Sequence, residues 1–197
     1  MKGIILLNGE PFKGEIDCNG AVVYCCDGAY DWAKGKVKID KNIGDFDSIL
    51  STPFPPPEEV YPSEKDYTDG EIAIEKMLKS GFKEIEIYGG GGGREDHFIG
   101  NLHLLYKAHM CGAKCKMITN YSTIFLFEGR ERFSEVGKTL SLLPFGGTLH
   151  INDSAGFKYR YPQTLSYGEC RGISNIVESE KAFLDVGGIA LVIIQRG

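Results

Sequence analysis

Ile85-Glu86-Ile87-Tyr88-Gly89-Gly90-Gly91-Gly92-Gly93-Arg94-Glu95-Asp96-His97 is the stretch on which the reading of the fold turns. Ile85 and Ile87 share one face of an alternating segment, so Phe82–Tyr88 reads as a strand. Five glycines break it, and a helix over Glu95–Met110 follows, closed at Cys111-Gly112. A strand, a glycine turn and a helix start form a natural cradle for phosphate. Glycine lets backbone amides approach an anion, and the helix N-terminus favours negative charge. Arg94 can grip phosphate oxygens bidentately, and Asp96 can share a metal. His97 and Asn101, four apart, lie on one helical face. No Lys-Ser/Thr follows the glycines, so this is not the P-loop pattern. As a dinucleotide fingerprint it lacks a clear ribose-binding acid about twenty residues on. The competing reading is a flexible glycine linker, and for His97 a packing or hydrogen-bonding role within the helix.

On both sides of this stretch the same alternation recurs. Ile4–Leu7 and Ala21–Cys25 are short apolar runs and read as buried strands, and Asp27–Lys34 reads as a short helix closed by Gly35. Ser51–Pro57 is Pro-rich and reads as a loop. Thr68-Asp69-Gly70-Glu71 is a capping box opening a helix that runs to Lys79 and stops near Gly81. Lys116–Thr119 is a further strand. Repeated β–α alternation implies a mostly parallel sheet with helices on both faces, Rossmann-like in arrangement. From about Tyr121 the texture changes. Ile124–Phe127, Thr139–Leu143, Thr148–Ile151, Phe157–Tyr161 and Ile189–Ile194 read as strands separated by Gly and Pro, with no helix among them, which suggests a small β-sandwich. The expected fold class is therefore α/β: an N-terminal mostly parallel sheet plus a small C-terminal β-sandwich domain. The boundary falls between Asn120 and Gly137, drawn as residues 1–125 and 126–197.

The chain has 197 residues, 42% hydrophobic and 25% charged, with a net charge of −5. That is ordinary globular composition for one large domain or two small ones. An acidic surface without a basic stripe argues against nucleic acid as a partner. A divalent metal can still join such a chain to an anionic nucleotide. The longest apolar runs are too short for a signal sequence or a membrane span, so no membrane association is expected. Six scattered cysteines (Cys18, Cys25, Cys26, Cys111, Cys115 and Cys170) form no C-x-x-C pair or disulfide framework. They suggest a cytoplasmic protein whose thiols act as small buried apolar residues.

Two acidic clusters and one polar pair complete the candidates. In Gly44-Asp45-Phe46-Asp47-Ser48 the two Asp at i and i+2 can converge on one cation, and Mg²⁺ takes a few carboxylate oxygens while keeping room for water and phosphate. Taken alone, a solvated turn explains the same residues. In Glu64-Lys65-Asp66-Tyr67-Thr68-Asp69, the acids flank a helix start, where the dipole alone justifies one of them. Lys65 can touch phosphate as a point charge, and the bland reading for Glu64 and Lys65 is a surface pair. Ser174-Asn175 offers short polar side chains for a ligand, with a turn as the default explanation.

Taken in order, these segments resemble the thiamine pyrophosphokinase family along nearly the whole chain. The family's early Asp-Gly appears as Cys26-Asp27-Gly28-Ala29, and its Gly-Asp-Phe-Asp-Ser is intact at Gly44–Ser48. Its Asp-x-Asp-x-Thr-Asp segment appears as Glu64–Asp69, and Gly-Gly-Arg-x-Asp-His is intact at Gly92–His97. A Ser-x-Gly-Leu-Lys-Tyr-like stretch is Ser154–Tyr159, and the late Ser-Asn is Ser174-Asn175. Glu64 replaces the first Asp of its motif, Ala29 stands where a second Gly is frequent, and an aromatic found after the Ser-Asn in some relatives has no counterpart here.

The resemblance implies transfer of a pyrophosphoryl group from ATP to thiamine, giving thiamine diphosphate and AMP. It implies Mg²⁺ held by Asp45, Asp47, Asp66, Asp69 and Asp96, with Asp69, Asp47 and Arg94 as the catalytic set. It implies a nucleotide bound by Asp27, Gly28, Lys65, Thr68, Gly91, Gly92, Gly93, Arg94 and His97. Ser174, Asn175 and Asp69 would meet thiamine. A homodimer with the active site between subunits is also implied. The alternatives are a related Mg²⁺-dependent pyrophosphotransferase acting on another alcohol such as a pterin, a non-catalytic nucleotide or thiamine sensor, and a phosphatase using an Asp nucleophile.

Overall fold

Short apolar runs bounded by turn residues become the strands of a parallel sheet in the first unit of the chain. The computed structural model describes residues 1–46, 49–57, 60–61 and 66–197. The chain divides into two compact units, Met1–Asn120 and Tyr121–Gly197, and the fold is mixed α/β with few helices.

The first unit runs β1 (Lys2–Leu6), β2 (Ala21–Cys26), α1 (Ala29–Ala33), β3 (Lys41–Ile43), α2 (Asp69–Lys79), β4 (Glu84–Tyr88), α3 (Glu95–Met110) and β5 (Lys114–Ile118). Its strands lie in the order β5-β4-β1-β2-β3, and each neighbouring pair is parallel. Side chains alternate along a strand. Ile4 and Leu6 pack with Ala29, Tyr30 and Ala33 of α1. Gly3 faces the other way, where an added Cβ would stand 2.5 Å from the Met77 sulfur of α2. Because all five strands run the same way, their C-terminal ends share one edge, and the loops that follow gather there. That edge receives residues 7–10, 27–28, 44–46 and 89–94.

Local chemistry sets the element ends. Thr68 Oγ1 accepts from the Glu71 amide at 3.1 Å and starts α2 where the capping box placed it. α2 closes with Gly81 in the left-handed region (φ 81°) and the Phe82 amide bonded to the Met77 carbonyl at 3.1 Å. Phe82 is thus spent on the helix cap, and β4 starts at Glu84 rather than at Phe82. α1 is shorter than expected because Asp27, at φ 40°, stands outside any helix. β3 has only three residues and no alternation to betray it.

The second unit is antiparallel: β6 (Ser122–Phe133), β7 (Thr139–Pro144), β8 (Leu149–Ala155), β9 (Thr164–Leu165), β10 (Asn175–Ile176) and β11 (Ala182–Gln195). β11 pairs with β6 over most of its length, with β7 through residues 190–194 and with β8 through residues 183–187. Phe133, Leu140, Leu142, Leu149, Leu165 and Val192 bury its core. β6 and β11 outrun the expected strands: the outer half of β6 is charged (Glu128, Arg130, Glu131 and Arg132) and reads as polar, and Gly187-Gly188 interrupts the apolar run of β11. The expected strand Phe157–Tyr161 does not form; Phe157 makes a single bridge to Val177. All six cysteines are free, and Cys111 and Cys170 are exposed, against the expectation of burial. Among the described residues no helix is long and apolar enough to cross a membrane.

Candidate active site

The glycine run is fixed in place, so the linker reading fails. Beyond β1 the chain continues alongside it: the Leu7 amide donates to the Tyr88 carbonyl at 2.8 Å, Gly9 to Gly89 at 2.8 Å and Glu10 to Gly91 at 2.7 Å. From α3, Asn101 Nδ2 donates to the Gly90 carbonyl at 2.9 Å. Gly92 takes φ 75°, and a Cβ there would stand 2.6 Å from the Glu10 Cβ, so only glycine fits.

A cleft of about 990 Å³ opens at this edge, wholly within the first unit. Asp27, Thr68, Asp69 and the Gly92-Gly93-Arg94 turn line it, as do Asp96 and His97 of α3. One carboxylate oxygen of Asp27 and one of Asp69 are buried. The Asp27 amide donates to the Ile43 carbonyl at 2.8 Å, and Gly44 lies so close that a Cβ on it would sit 3.0 Å from the Asp27 Cβ. Two distant motifs are thereby packed together. Among the described residues, the non-glycine residues with positive φ are Asp27 (40°), Phe46 (58°) and Ser174 (61°). Each belongs to a motif already singled out, and such backbone costs about 1–3 kcal/mol, persisting where surrounding structure enforces it.

Arg94 is engaged with Asp96: its Nε donates to Oδ1 at 3.1 Å and a terminal nitrogen to Oδ2 at 2.5 Å. The guanidinium holds the Asp96 carboxyl below the usual carboxylate range, aided by the His97 amide, and Arg94 is raised in return. Asp96 thus has a basic partner where a metal role was expected.

The other expected residues are spread more widely. Asp45 is half-buried and Asp66 exposed, and neither lines the cleft. Gly28 is buried against the Asn8 side chain, and Gly91 is buried and contributes its carbonyl to the Glu10 amide. Asp47, Ser48, Glu64 and Lys65 lie outside the described residues. Ser174 and Asn175 belong to the second unit: Ser174 is exposed, whereas Asn175 is 4% exposed.

Sequence reading missed Asn8, Glu10, His103 and Lys107, which also line the cleft. Asn8 and Glu10 follow a parallel strand at its C-terminal end, which is the signal that could have found them. Lys107 bridges the two helices, at 2.7 Å from Glu71 and 2.6 Å from Glu75. Burial works against its charge, the two carboxylates outweigh that, and its pKa is raised.

Among the described residues no group of three or more His, Cys, Asp or Glu converges as a ready metal site. Asp27 and Asp69 still offer hard oxygen donors beside a glycine turn. That set fits Mg²⁺, which takes one or two carboxylates and completes its shell with phosphate oxygens and water.

A parallel sheet whose strand ends carry carboxylates, an arginine and a glycine nest in one cleft defines a mixed α/β protein built to hold a phosphate-bearing ligand. Two family models match the chain, "Thiamin pyrophosphokinase, catalytic domain" over residues 18–117 and "Thiamin pyrophosphokinase, vitamin B1 binding domain" over residues 130–186. The chain belongs to the thiamin pyrophosphokinase family. It is 34% identical over 162 residues to the thiamine pyrophosphokinase of Bacillus subtilis (strain 168), covering 77% of this chain and 76% of that one. The crystal structure of a thiamine pyrophosphokinase from Bacillus subtilis superposes with a TM-score of 0.85 at 26% identity, over 99% of this chain and 98% of the other. That of a thiamin pyrophosphokinase from Geobacillus thermodenitrificans gives 0.83 at 23% identity over 100% and 98%, a likeness of fold.

Proposed function

We propose that this protein is an ATP-dependent diphosphotransferase that converts thiamine and ATP into thiamine diphosphate and AMP. The observation that carries the reading is that residues from three separate motifs (Asp27, Asp69 and the Gly92-Gly93-Arg94 turn) line one cleft in a chain of this family. The first unit is read as a Rossmann-like catalytic domain and the second as a β-sandwich that takes the vitamin, near the division 1–125 and 126–197. The protein acts in the cytoplasm as a homodimer with its active site between subunits.

In the reaction the hydroxyethyl oxygen of thiamine forms a bond to the β-phosphorus of ATP. The bond from that phosphorus to the oxygen bridging to the α-phosphate breaks, and AMP leaves with the bridging oxygen. The hydroxyl proton passes to a carboxylate, assigned to Asp69. Transfer of this kind needs mainly positioning and neutralisation of charge. The glycine-turn amides, Gly91 to Gly93, and the Arg94 guanidinium hold the triphosphate, with Thr68, His97 and Lys65 beside it and Asp27-Gly28 at its edge. Asp69, with Asp27, Asp45, Asp47, Asp66 and Asp96, would hold Mg²⁺, which would supply positive charge to the triphosphate. Ser174 and Asn175 serve the vitamin.

The test is direct. Purified protein given ATP, Mg²⁺ and thiamine should accumulate AMP and thiamine diphosphate in equal amounts, read by chromatography. ADP with thiamine monophosphate, turnover of a pterin alcohol instead of thiamine, or nucleotide binding without AMP release would each overturn the proposal.

A further inference from the structure

Ser174 and Asn175 are neighbours with opposite surroundings. Ser174 is exposed, holds φ 61° and donates its amide to Ser141 Oγ at 3.1 Å. Asn175 is 4% exposed, and its carboxamide is committed inside the protein. Its Oδ1 accepts from the Tyr159 amide at 2.9 Å and from the Ile176 amide at 2.9 Å, and its Nδ2 donates to the Tyr159 carbonyl at 2.8 Å. A carboxamide has two acceptor sites and two donors. Both acceptor sites and one donor are thus taken. The group also lies beside the Tyr161 phenol, which burial pushes up to about 12 while Asn175 works the other way.

The Tyr159 contacts finish a ladder that backbone alone leaves incomplete. The Glu178 amide donates to the Gly156 carbonyl at 2.8 Å, Phe157 bridges Val177, and the Lys158 amide donates to the Ile176 carbonyl at 2.9 Å. At the next rung the backbone has turned away. Ser174 is in the left-handed region, and Asn175 pairs its backbone with Leu140 of β7. The Asn175 side chain replaces the missing strand and holds Tyr159 by both its amide and its carbonyl.

We infer that Asn175 is a positioning residue for the acceptor alcohol: it does not touch thiamine but locks the Lys158-Tyr159 segment and the Ser174 turn into one rigid edge that receives the vitamin. The inference rests on the proposed function and narrows the role given there to Asn175, leaving Ser174 as the residue that meets the ligand.

Two variants and two readouts test it. Asn175→Asp keeps the acceptor toward the Tyr159 and Ile176 amides but turns an anionic oxygen on the Tyr159 carbonyl, and Asn175→Ala removes the whole clamp. A buried hydrogen bond left unmade predicts a rise of about tenfold or more in KM for thiamine, with KM for ATP unchanged. In the same variants, without any ligand, hydrogen exchange at the Tyr159 amide should accelerate. A raised thiamine KM with Tyr159 exchange as in the wild type would mean direct contact and overturn the inference. Faster exchange with an unchanged thiamine KM would overturn it too. If neither variant folds, the wild-type protein decides. Its Asn175 carboxamide protons should be protected from solvent and keep their NMR shifts when thiamine saturates the protein. Free exchange, or a large shift on adding thiamine, contradicts the clamp. Wild-type protein that makes no thiamine diphosphate sinks the proposed function. An active wild type, with both variants at its thiamine KM, sinks only the inference.

Discussion

The two units solve the problem of building a site in opposite ways. In Met1–Asn120 every strand is parallel, so the topology itself brings strand-end loops to one edge, and the cleft residues come from short contiguous motifs. In Tyr121–Gly197 the strands are antiparallel, and the candidate site is held by contacts sixteen residues apart, between Asn175 and Tyr159. Where topology delivers the loops, local sequence carries the chemistry. Where a side chain must stand in for a strand, the reason for a residue is visible only once its distant partner is known.

The largest effect should come from the first unit. Asp69→Asn keeps the helix start but removes the carboxylate assigned to the transferred proton and the metal. Losses at preorganised charge-stabilising positions run to about 10²–10³ in rate, and kcat should fall at least that far while the melting curve stays near the wild type. Near-normal turnover would remove Asp69 from the chemistry.

A smaller effect is expected from Gly92→Ala, which places a Cβ 2.6 Å from Glu10 at a backbone angle of φ 75°. The strain should cost about 1–3 kcal/mol of stability, seen as a lower denaturation midpoint. An unchanged midpoint would show that the glycine loop yields freely, contrary to its hydrogen-bonded packing.

In the second unit the sign should reverse. Ser174→Gly relieves a left-handed residue and should stabilise by about 1 kcal/mol, while removing the hydroxyl assigned to the vitamin. A loss of stability would mean that the Ser174 side chain carries structure after all.

The smallest effect concerns the Arg94–Asp96 pair, whose side chains are 70% and 64% exposed. Asp96 is depressed in the folded protein by the Arg94 hydrogen bonds. The pair therefore contributes above the carboxylate's unfolded value and is lost as pH falls through the lower folded one. Exposure and salt keep that contribution small. NMR titration of the Asp96 carboxyl should show a midpoint that moves up in Arg94→Ala. A midpoint equal in both proteins would deny the pairing.

Much of this was legible beforehand, for physical reasons. The Glu95–Met110 helix was readable to its ends because a glycine turn and a Cys-Gly stop bound it. The Thr68 cap declared α2 in the same way. Asp27, Asp69, Gly92 and Arg94, which line the cleft, were legible as candidates because rim loops of a parallel sheet keep their chemistry in consecutive residues. Asn8, Glu10 and Lys107 were not, because a strand's trailing loop and a mid-helix lysine have no local signature until packing gives them neighbours. The segment at Phe157–Tyr161 read as a strand because its pattern is strand-like. Backbone pairing stops at Lys158, and at Tyr159 the partner is the Asn175 side chain, which no periodicity reports.

One measurement probes the division of labour most directly: Michaelis constants for ATP and for thiamine, each determined on Gly92→Ala and on Ser174→Gly. Gly92→Ala should raise the ATP constant and leave that for thiamine in place, and Ser174→Gly should do the reverse. If Gly92→Ala instead weakened thiamine alone, or Ser174→Gly weakened ATP alone, the assignment of donor and acceptor to the two units would be wrong.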